Sequence, residues 1–347
     1  MAVPPGTFPP GTLIANRYKV VRWLGRGAFG EVYAVEDQHQ GQVVALKLIG
    51  STVGGTWAEA QVLTYLRSPY ILPVWNADYF AGVLFLVTDL AENGTVADRF
   101  APKGVPMPLA IRWTIAVCRG VQRTHDANLL HRDIKPDNIF LTADDEALLG
   151  DFGLACLMNP PGEGPYGGTV TTMATEGAAW GNTSRESDVY SIGATLYALL
   201  AGRFPHNAPT EPAVRALVIA GPPPSVRDYA PQVPIALVRR VEKAMARDRA
   251  DRYPTPAAFA ADLGRVSLPA RLWWRTDEHQ ASSHLLCWRG EAKGKTDATV
   301  CVVPAGSQFA VEAAHQPTGR RITAACKPAG PESALPTKLR TAIAAVS

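Results

Sequence analysis

Between residues 17 and 49, apolar and polar positions alternate, with Val, Leu and Tyr recurring between glycines and a polar QHQGQ turn. Alternation at period two marks half-buried strands, and this stretch predicts three antiparallel ones. The period then changes. In WAEAQVLTYLR, residues 57–67, Ala58, Val62, Tyr65 and Leu66 fall at helical spacing. The run VLFLVTDLA at 83–91 reads as a buried strand. Helical patterns follow at 108–128, 185–202, 235–247 and 256–264, and the Pro-rich stretches 204–212 and 222–234 read as loops. A small strand-rich part followed by a larger helical part predicts an α+β chain of two lobes with a cleft between them.

From about residue 268 the texture shifts again. LWWRT, HLLCWRG, TVCVVPA, FAVEAAH and RRITAACK are short, rich in Trp, Val and Cys, and separated by turn residues. They predict a small β-rich appendage of five strands, with one short helix at 337–347. Residues 1–13, rich in Pro and Gly, read as a flexible arm. The expected units are therefore an arm at 1–13, a main domain at 14–268 and an accessory segment of unassigned role at 269–347.

Composition narrows the classes. Hydrophobic residues make up 47% of the 347, enough for a packed core. The net charge of +3 gives no argument for nucleic acid or an anionic membrane. From residue 269 onward ten Lys/Arg stand against six Asp/Glu, so the basic excess lies in the tail, where it reads as a solvated surface or a partner-binding one. Five cysteines, odd in number and widely spaced, argue against a disulfide framework. The N-terminus lacks a signal-peptide pattern and no apolar run is long enough to span a membrane, so a cytoplasmic protein is expected.

Four motifs carry chemistry. Gly25-Arg26-Gly27-Ala28-Phe29-Gly30-Glu31-Val32 lets backbone approach phosphates closely, and the alternating EVYAVED after it favours a glycine flap over a dinucleotide turn. Val44-Ala45-Leu46-Lys47 sets a lysine among apolar strand residues; the alternative is an edge lysine facing solvent. Between Lys47 and Asp78 the sole acidic residue is Glu59, on the expected helix. His131-Arg132-Asp133-Ile134-Lys135-Pro136-Asp137-Asn138 places a carboxylate, a lysine and an amide on one loop, where they can serve a hydroxyl nucleophile, a moving phosphate and a metal. Asp151-Phe152-Gly153 adds a second carboxylate suited to a hard cation.

In this order and spacing, the motifs resemble a eukaryotic-type (Hanks-type) serine/threonine protein kinase from about Arg17 to Leu263. The closing KAMARDRADRYPTPAAFAADL is similar to bacterial members. The resemblance implies the bilobal kinase fold, ATP and Mg2+ as cofactors, and transfer of the γ-phosphoryl group to Ser or Thr of protein substrates, with autophosphorylation as an option. It implies that Gly25, Gly27 and Gly30 cover the nucleotide, with Val32 and Ala45 in the same site. Lys47 would hold the α/β-phosphates and pair with Glu59. Thr88 would be the gatekeeper, and Asp89 to Ala91 the hinge facing adenine. Asp133 would orient the acceptor hydroxyl and take its proton, Lys135 would stabilise the γ-phosphoryl group, and Asn138 and Asp151 would bind magnesium. Asp188 would brace the catalytic loop, and Glu176 would pair with Arg252. A pseudokinase scaffold that binds nucleotide and partner proteins is the alternative, and a small-molecule phosphotransferase a third reading.

Three features depart from the family. Ala174-Thr175-Glu176 stands where the family has Ala-Pro-Glu. Glu59 follows Lys47 by only twelve residues across a glycine-rich GSTVGGTW, which suggests a movable helix. From Leu154 to Gly168 there is no Ser or Thr, and Tyr166 is the sole hydroxyl. Activity without conventional loop phosphorylation is therefore expected, with Glu163 as a candidate fixed charge for Arg132 and a loop making no such contact as the alternative. In the tail, His279, His284, Cys287, Cys301, His315 and Cys326 are residues zinc accepts, but no CxxC occurs and buried Cys with surface His is the plainer reading. A regulator or substrate docking on the tail is suggested by its position alone.

Overall fold

The computed structural model describes residues 8–27, 30–49, 63–91, 93–158, 163–165, 168–277 and 284–346. Its first part is an antiparallel sheet of β1 (Leu13–Ile14), β2 (Tyr18–Gly27), β3 (Gly30–Asp37), β4 (Gln42–Ile49), β5 (Val74–Phe80) and β6 (Val83–Asp89), in the order β1-β2-β3-β4-β6-β5. Successive side chains of a strand point to opposite faces. Here Tyr33, Val35, Val44, Leu46, Leu48, Phe85 and Val87 close one apolar core. The intervening Val32, Ala45, Lys47, Leu86 and Thr88 are thereby left for the other face, and register aligns them: Val32 opposes Lys47, which opposes Leu86, while Ala45 opposes Thr88.

The second part is helical. Helix Met107–Asp126 and helix Arg185–Ala201 lie in one large core with the helices Ile235–Ala244 and Pro256–Leu263. Arg185–Ala201 is buried nearly all round, as a central helix must be. Its start is set by a capping box: Ser187 N–H donates to Ser184 Oγ at 3.3 Å, and Ser184 N–H donates to Ser187 Oγ at 2.9 Å. Gly202, at φ 72°, ends it. Short strands β7 (Leu129–Leu130), β8 (Ile139–Leu141), β9 (Ala147–Leu149), β10 (Cys156–Leu157), β11 (Glu163–Pro165) and β12 (Asn182–Ser184) pair as β7–β10, β8–β9 and β11–β12 and frame the loops of the site. No helix among the described residues is long and apolar enough to cross a membrane.

The third part is a five-stranded antiparallel meander: β13 (Leu272–Thr276), β14 (Leu286–Glu291), β15 (Ala298–Ala305), β16 (Gln308–His315) and β17 (Lys327–Gly330). Helix Leu335–Val346 covers one face, and Trp273, Trp288, Val300, Val302, Val311, Leu339 and Ile343 form a core separate from the others. This sheet leans on the helical part. Trp288 Nε1 donates to Gln232 Oε1 at 3.1 Å, and Arg275 donates to the Pro102 carbonyl at 3.3 Å.

Three expectations shift. Residues 8–13, assigned to a loose arm, lie against the sheet, because Phe8 packs edge-on to Tyr33 and Phe80 at centroid distances of 5.9 and 6.0 Å. Helix Glu211–Ala220 begins inside the stretch 204–212 expected as loop; Thr210 caps it and Pro212 sits in its first turn. Most of the helix expected at 57–67 lies outside the described residues, and residues 63–65 of it are helical.

Candidate active site

Between the sheet and the helical part runs a cleft of about 830 Å³, within the size range of small-molecule sites. Val32, Ala45 and Leu86 line it from the sheet, and Leu72 and Phe140 also contribute apolar surface. Of the residues expected around a nucleotide, Gly25, Val32, Ala45, Lys47, Thr88, Asp89, Ala91 and Asp151 line this cleft. Gly30 is not among its lining residues. It pairs with Gly27 at the end of the β2–β3 hairpin, at φ 152°, and a Cβ there would meet the Leu48 carbonyl at 1.7 Å. Glycine at 30 is thus required by the β3–β4 contact itself.

Lys47 lies third from the end of β4 and forms an ion pair with Asp151, so the lysine of the sheet meets the carboxylate of the loop after β9. The pairing expected for Lys47 was with Glu59, which lies outside the described residues. Asp151 has φ 54° and Arg132 φ 67°, both in the left-handed region. That region is uncommon for residues other than glycine, and it persists where surrounding contacts hold it.

Those contacts are visible for the loop after β7. The buried Asp188 carboxylate accepts the backbone N–H of His131 at 3.0 Å and of Arg132 at 2.9 Å, and meets His125 Nε2 at 2.8 Å. Burial alone would raise the Asp188 carboxyl, but the hydrogen bond and charge of His125 hold it below the usual range. Asp188 thus braces the loop from beneath, as expected. His131 Nε2 lies 3.1 Å from the Gly150 carbonyl and its ring 4.8 Å from that of Phe152, which ties this loop to the one carrying Asp151.

Burial lowers the His131 pKa from its usual 6.5, so folding favours the neutral ring. A histidine pKa depressed by folding contributes stability above its unfolded value and loses it as pH falls. Unfolding measured by denaturant at several pH values is expected to show stability declining as pH drops below about 6.5, a decline that His131→Gln reduces.

On the braced loop, Asp133 is 1% exposed and engaged from several sides. Its Oδ2 accepts Asn138 Nδ2 at 2.8 Å and lies 2.9 Å from Lys135 Nζ. Its Oδ1 accepts the Thr169 hydroxyl at 2.7 Å, and Lys135 Nζ donates to Thr169 Oγ1 at 2.6 Å. Asn138 also donates to the Asp133 carbonyl at 2.7 Å. With its amide nitrogen committed to Asp133, Asn138 keeps its amide oxygen for another partner. That oxygen and the Asp151 carboxylate are the hard donors a magnesium ion takes, so the residues present suit one.

Thr169 is the member of this cluster that motif reading left without a specific contact. Its position just after the hydroxyl-free stretch was the available signal. Gly168 lets it approach: at φ 114°, a Cβ would meet the Arg132 carbonyl at 2.2 Å. Asp137, the neighbour of Asn138 in the same motif, also lines the cleft.

Glu163 does not serve as the expected charge for Arg132. It pairs with Arg249 at 2.8 Å, while Arg132 Nε donates to the Leu154 carbonyl at 2.5 Å. Strand β11 is held against β12, which directs Glu163 toward the residue 249 turn. The expected Glu176–Arg252 pair is present as a two-pronged contact, both prongs at 2.7 Å.

The family model for the protein kinase domain matches residues 18–227. Serine/threonine-protein kinase PknD of Mycobacterium tuberculosis is 30% identical over 303 residues, 83% of this chain and 43% of that protein. The DNA damage-responsive serine/threonine-protein kinase RqkA of Deinococcus radiodurans is 32% identical over 282 residues, 77% of this chain and 42% of that protein. PknE of Mycobacterium tuberculosis is 30% identical over 259 residues, 70% of this chain and 45% of that protein. The chain spans about two-fifths of the length of these relatives. With the cleft, the braced loop and the Lys47–Asp151 pair in the order of its motifs, this chain belongs to the protein kinase family.

Proposed function

We propose that the chain is a serine/threonine protein kinase that transfers the γ-phosphoryl group of ATP to a hydroxyl of a protein substrate. The observation that carries this reading is the Asp133 carboxylate, buried and held by Asn138, Lys135 and Thr169 on a loop whose Asp137 lines an ATP-sized cleft. A carboxylate so fixed can orient a hydroxyl and accept its proton without reorganising.

In this reading the apolar walls Val32, Ala45 and Leu86 sandwich the adenine, and Asp89 to Ala91 present backbone to its edge. Gly25 and Gly27 form the flap over the phosphates, and Lys47 binds the α/β-phosphates. Lys135 balances charge on the phosphoryl group in flight. Asn138 and Asp151 would hold magnesium, whose charge neutralises the β/γ-phosphates when bound. Serine or threonine as acceptor is supported by Lys135, two residues after the base, and by the similarity to serine/threonine-protein kinases PknD and RqkA.

The test is transfer of labelled phosphate from ATP to a basic protein acceptor. Wild type is expected to transfer with magnesium and not with EDTA, and Asp151→Asn to lose at least about a hundredfold in rate. Nucleotide binding with no transfer from wild type under any of these conditions would instead favour the binding scaffold.

Thr169 gives a second outcome. A hydrogen bond to a charged group contributes about 1.5–3 kcal/mol, so Thr169→Val is expected to lower kcat by roughly 10- to 100-fold. ATP affinity should be unchanged, and Thr169→Ser should restore most of the rate. Equal kcat in Thr169→Val and wild type would remove Thr169 from the machinery.

A further inference from the structure

Outside the cleft, among the described residues, one group of side chains has the chemistry of a ligand set. The tail offers six His and Cys residues with no regular spacing, and the fold selects among them. Cys287 on β14 and Cys301 on β15 are direct cross-strand partners. His284, just before β14, brings its Nδ1 to 3.8 Å from the Cys287 sulfur, and the ligand atoms of His284, Cys287 and Cys301 all lie within 4.8 Å of one another. By contrast, Cys326 is turned to other partners: its sulfur lies 3.3 Å from Arg321 Nε and accepts the Ala313 N–H at 3.4 Å.

Packing alone does not explain this grouping. Trp288, Val300 and Val302, the neighbours of the two cysteines in sequence, point into the core under helix Leu335–Val346. Alternation therefore puts Cys287 and Cys301 on the opposite face of the sheet, in a row with Thr276 and Glu312. They are absent from that core, yet only 2% and 3% exposed. Two buried thiols and an imidazole thus converge on a face that carries Arg289, Thr299 and Glu312 beside Trp274, Val303 and Ala310.

We propose that His284, Cys287 and Cys301 form a binding site for a thiophilic divalent metal ion, zinc by the chemistry of the set. Zinc binds sulfur at about 2.3 Å and imidazole nitrogen at about 2.0–2.1 Å in tetrahedral geometry, which puts neighbouring ligand atoms roughly 3.5–3.8 Å apart. The 3.8 Å between Cys287 Sγ and His284 Nδ1 already matches that spacing. Three protein ligands leave a fourth position for water or a further donor. None of the three lines the nucleotide cleft, so the ion would act on the tail: it would tie the segment entering β14 to the β14–β15 pair. Metal binding requires both thiols to give up their protons, so affinity should rise with pH.

The test uses the full chain, reduced and stripped with a chelator, titrated with cobalt(II) and then zinc. Expected are tetrahedral cobalt absorption with a thiolate-to-cobalt charge-transfer band, saturation at about one ion per chain, and displacement of cobalt by zinc. Cys287→Ser, Cys301→Ser and His284→Ala should each weaken zinc binding by at least about 100-fold, and Cys326→Ser should leave it unchanged. Circular dichroism would check that each variant is folded, and the wild-type cobalt spectrum decides the matter even if a variant is not. Failure of the reduced wild type to bind either ion would overturn the proposal. So would a cobalt spectrum without thiolate character, or a Cys287–Cys301 disulfide that forms readily and persists in the presence of zinc.

Discussion

Replacing Asp133 by Asn is expected to abolish phosphoryl transfer while leaving nucleotide binding intact. The substitution keeps the size of the side chain and one oxygen for the Thr169 hydroxyl, but removes the group that can take a proton. Removal of a positioned general base costs about 10²–10⁴ in rate. The loop should hold its shape, because Asp188 grips the backbone N–H groups of His131 and Arg132 and not the Asp133 side chain. ATP affinity should therefore change by less than about twofold, since Asp133 does not line the cleft. Steady-state kinetics with a calorimetric titration separates the two. A variant retaining more than a tenth of wild-type kcat would place the base elsewhere.

The largest stability effect is expected at Arg252. Its guanidinium is fully buried; it grips both oxygens of Glu176 and also donates to the carbonyls of Ala246, Glu186 and Arg247. Ser187 Oγ donates to Glu176 at 2.6 Å and thereby links the pair to the capped start of helix Arg185–Ala201. Arg252→Ala leaves a buried carboxylate without its counter-charge, and removing one partner of such a pair costs about 3–5 kcal/mol. The melting temperature should drop by roughly 10 °C or more.

The pH dependence identifies the cause. Burial would raise the Glu176 carboxyl, but in wild type the hydrogen bonds and charge of Arg252 hold it below its ordinary value of 4.5. A depressed carboxyl contributes stability above its unfolded pKa and loses it as pH falls through the folded one. The gap between wild type and Arg252→Ala should thus be full at pH 7 and narrow below about 4.5. A gap that stays constant into acid would mean the loss comes from packing and not from charge.

Much of the fold was legible because its strands alternate cleanly. The three strands of residues 17–49, the first four strands of the tail and the two long helices each appear within a few residues of their expected places, whereas the fifth tail strand is Lys327–Gly330 and most of the expected RRITAACK forms a turn before it. Strand β5 and helix Glu211–Ala220 were not read. In β5, VWNADYF, only Val74 is buried while Trp75 and Tyr79 are exposed, so its pairing with β6 and not its own pattern makes it a strand. The helix was hidden by prolines, one of which is favourable in a first turn.

The site was legible where a motif is contiguous, as in residues 131–138, and less so where the partner is distant. The Glu176–Arg252 pair spans 76 residues and was reached only through the family resemblance. Thr169 meets Asp133 across 36 residues through a glycine at positive φ, and nothing in local sequence announces that contact. The Glu163 expectation failed for the same reason: charge type can be read from a sequence, but the direction of a side chain depends on which strand its neighbours join.

The most direct test of the central claim is to incubate the wild-type chain with γ-labelled ATP, magnesium and a protein acceptor, hydrolyse in acid and identify the labelled amino acids. Phosphoserine and phosphothreonine are expected, and neither when Asp133→Asn replaces wild type. Bound nucleotide with no covalent label, or label confined to tyrosine, would contradict it.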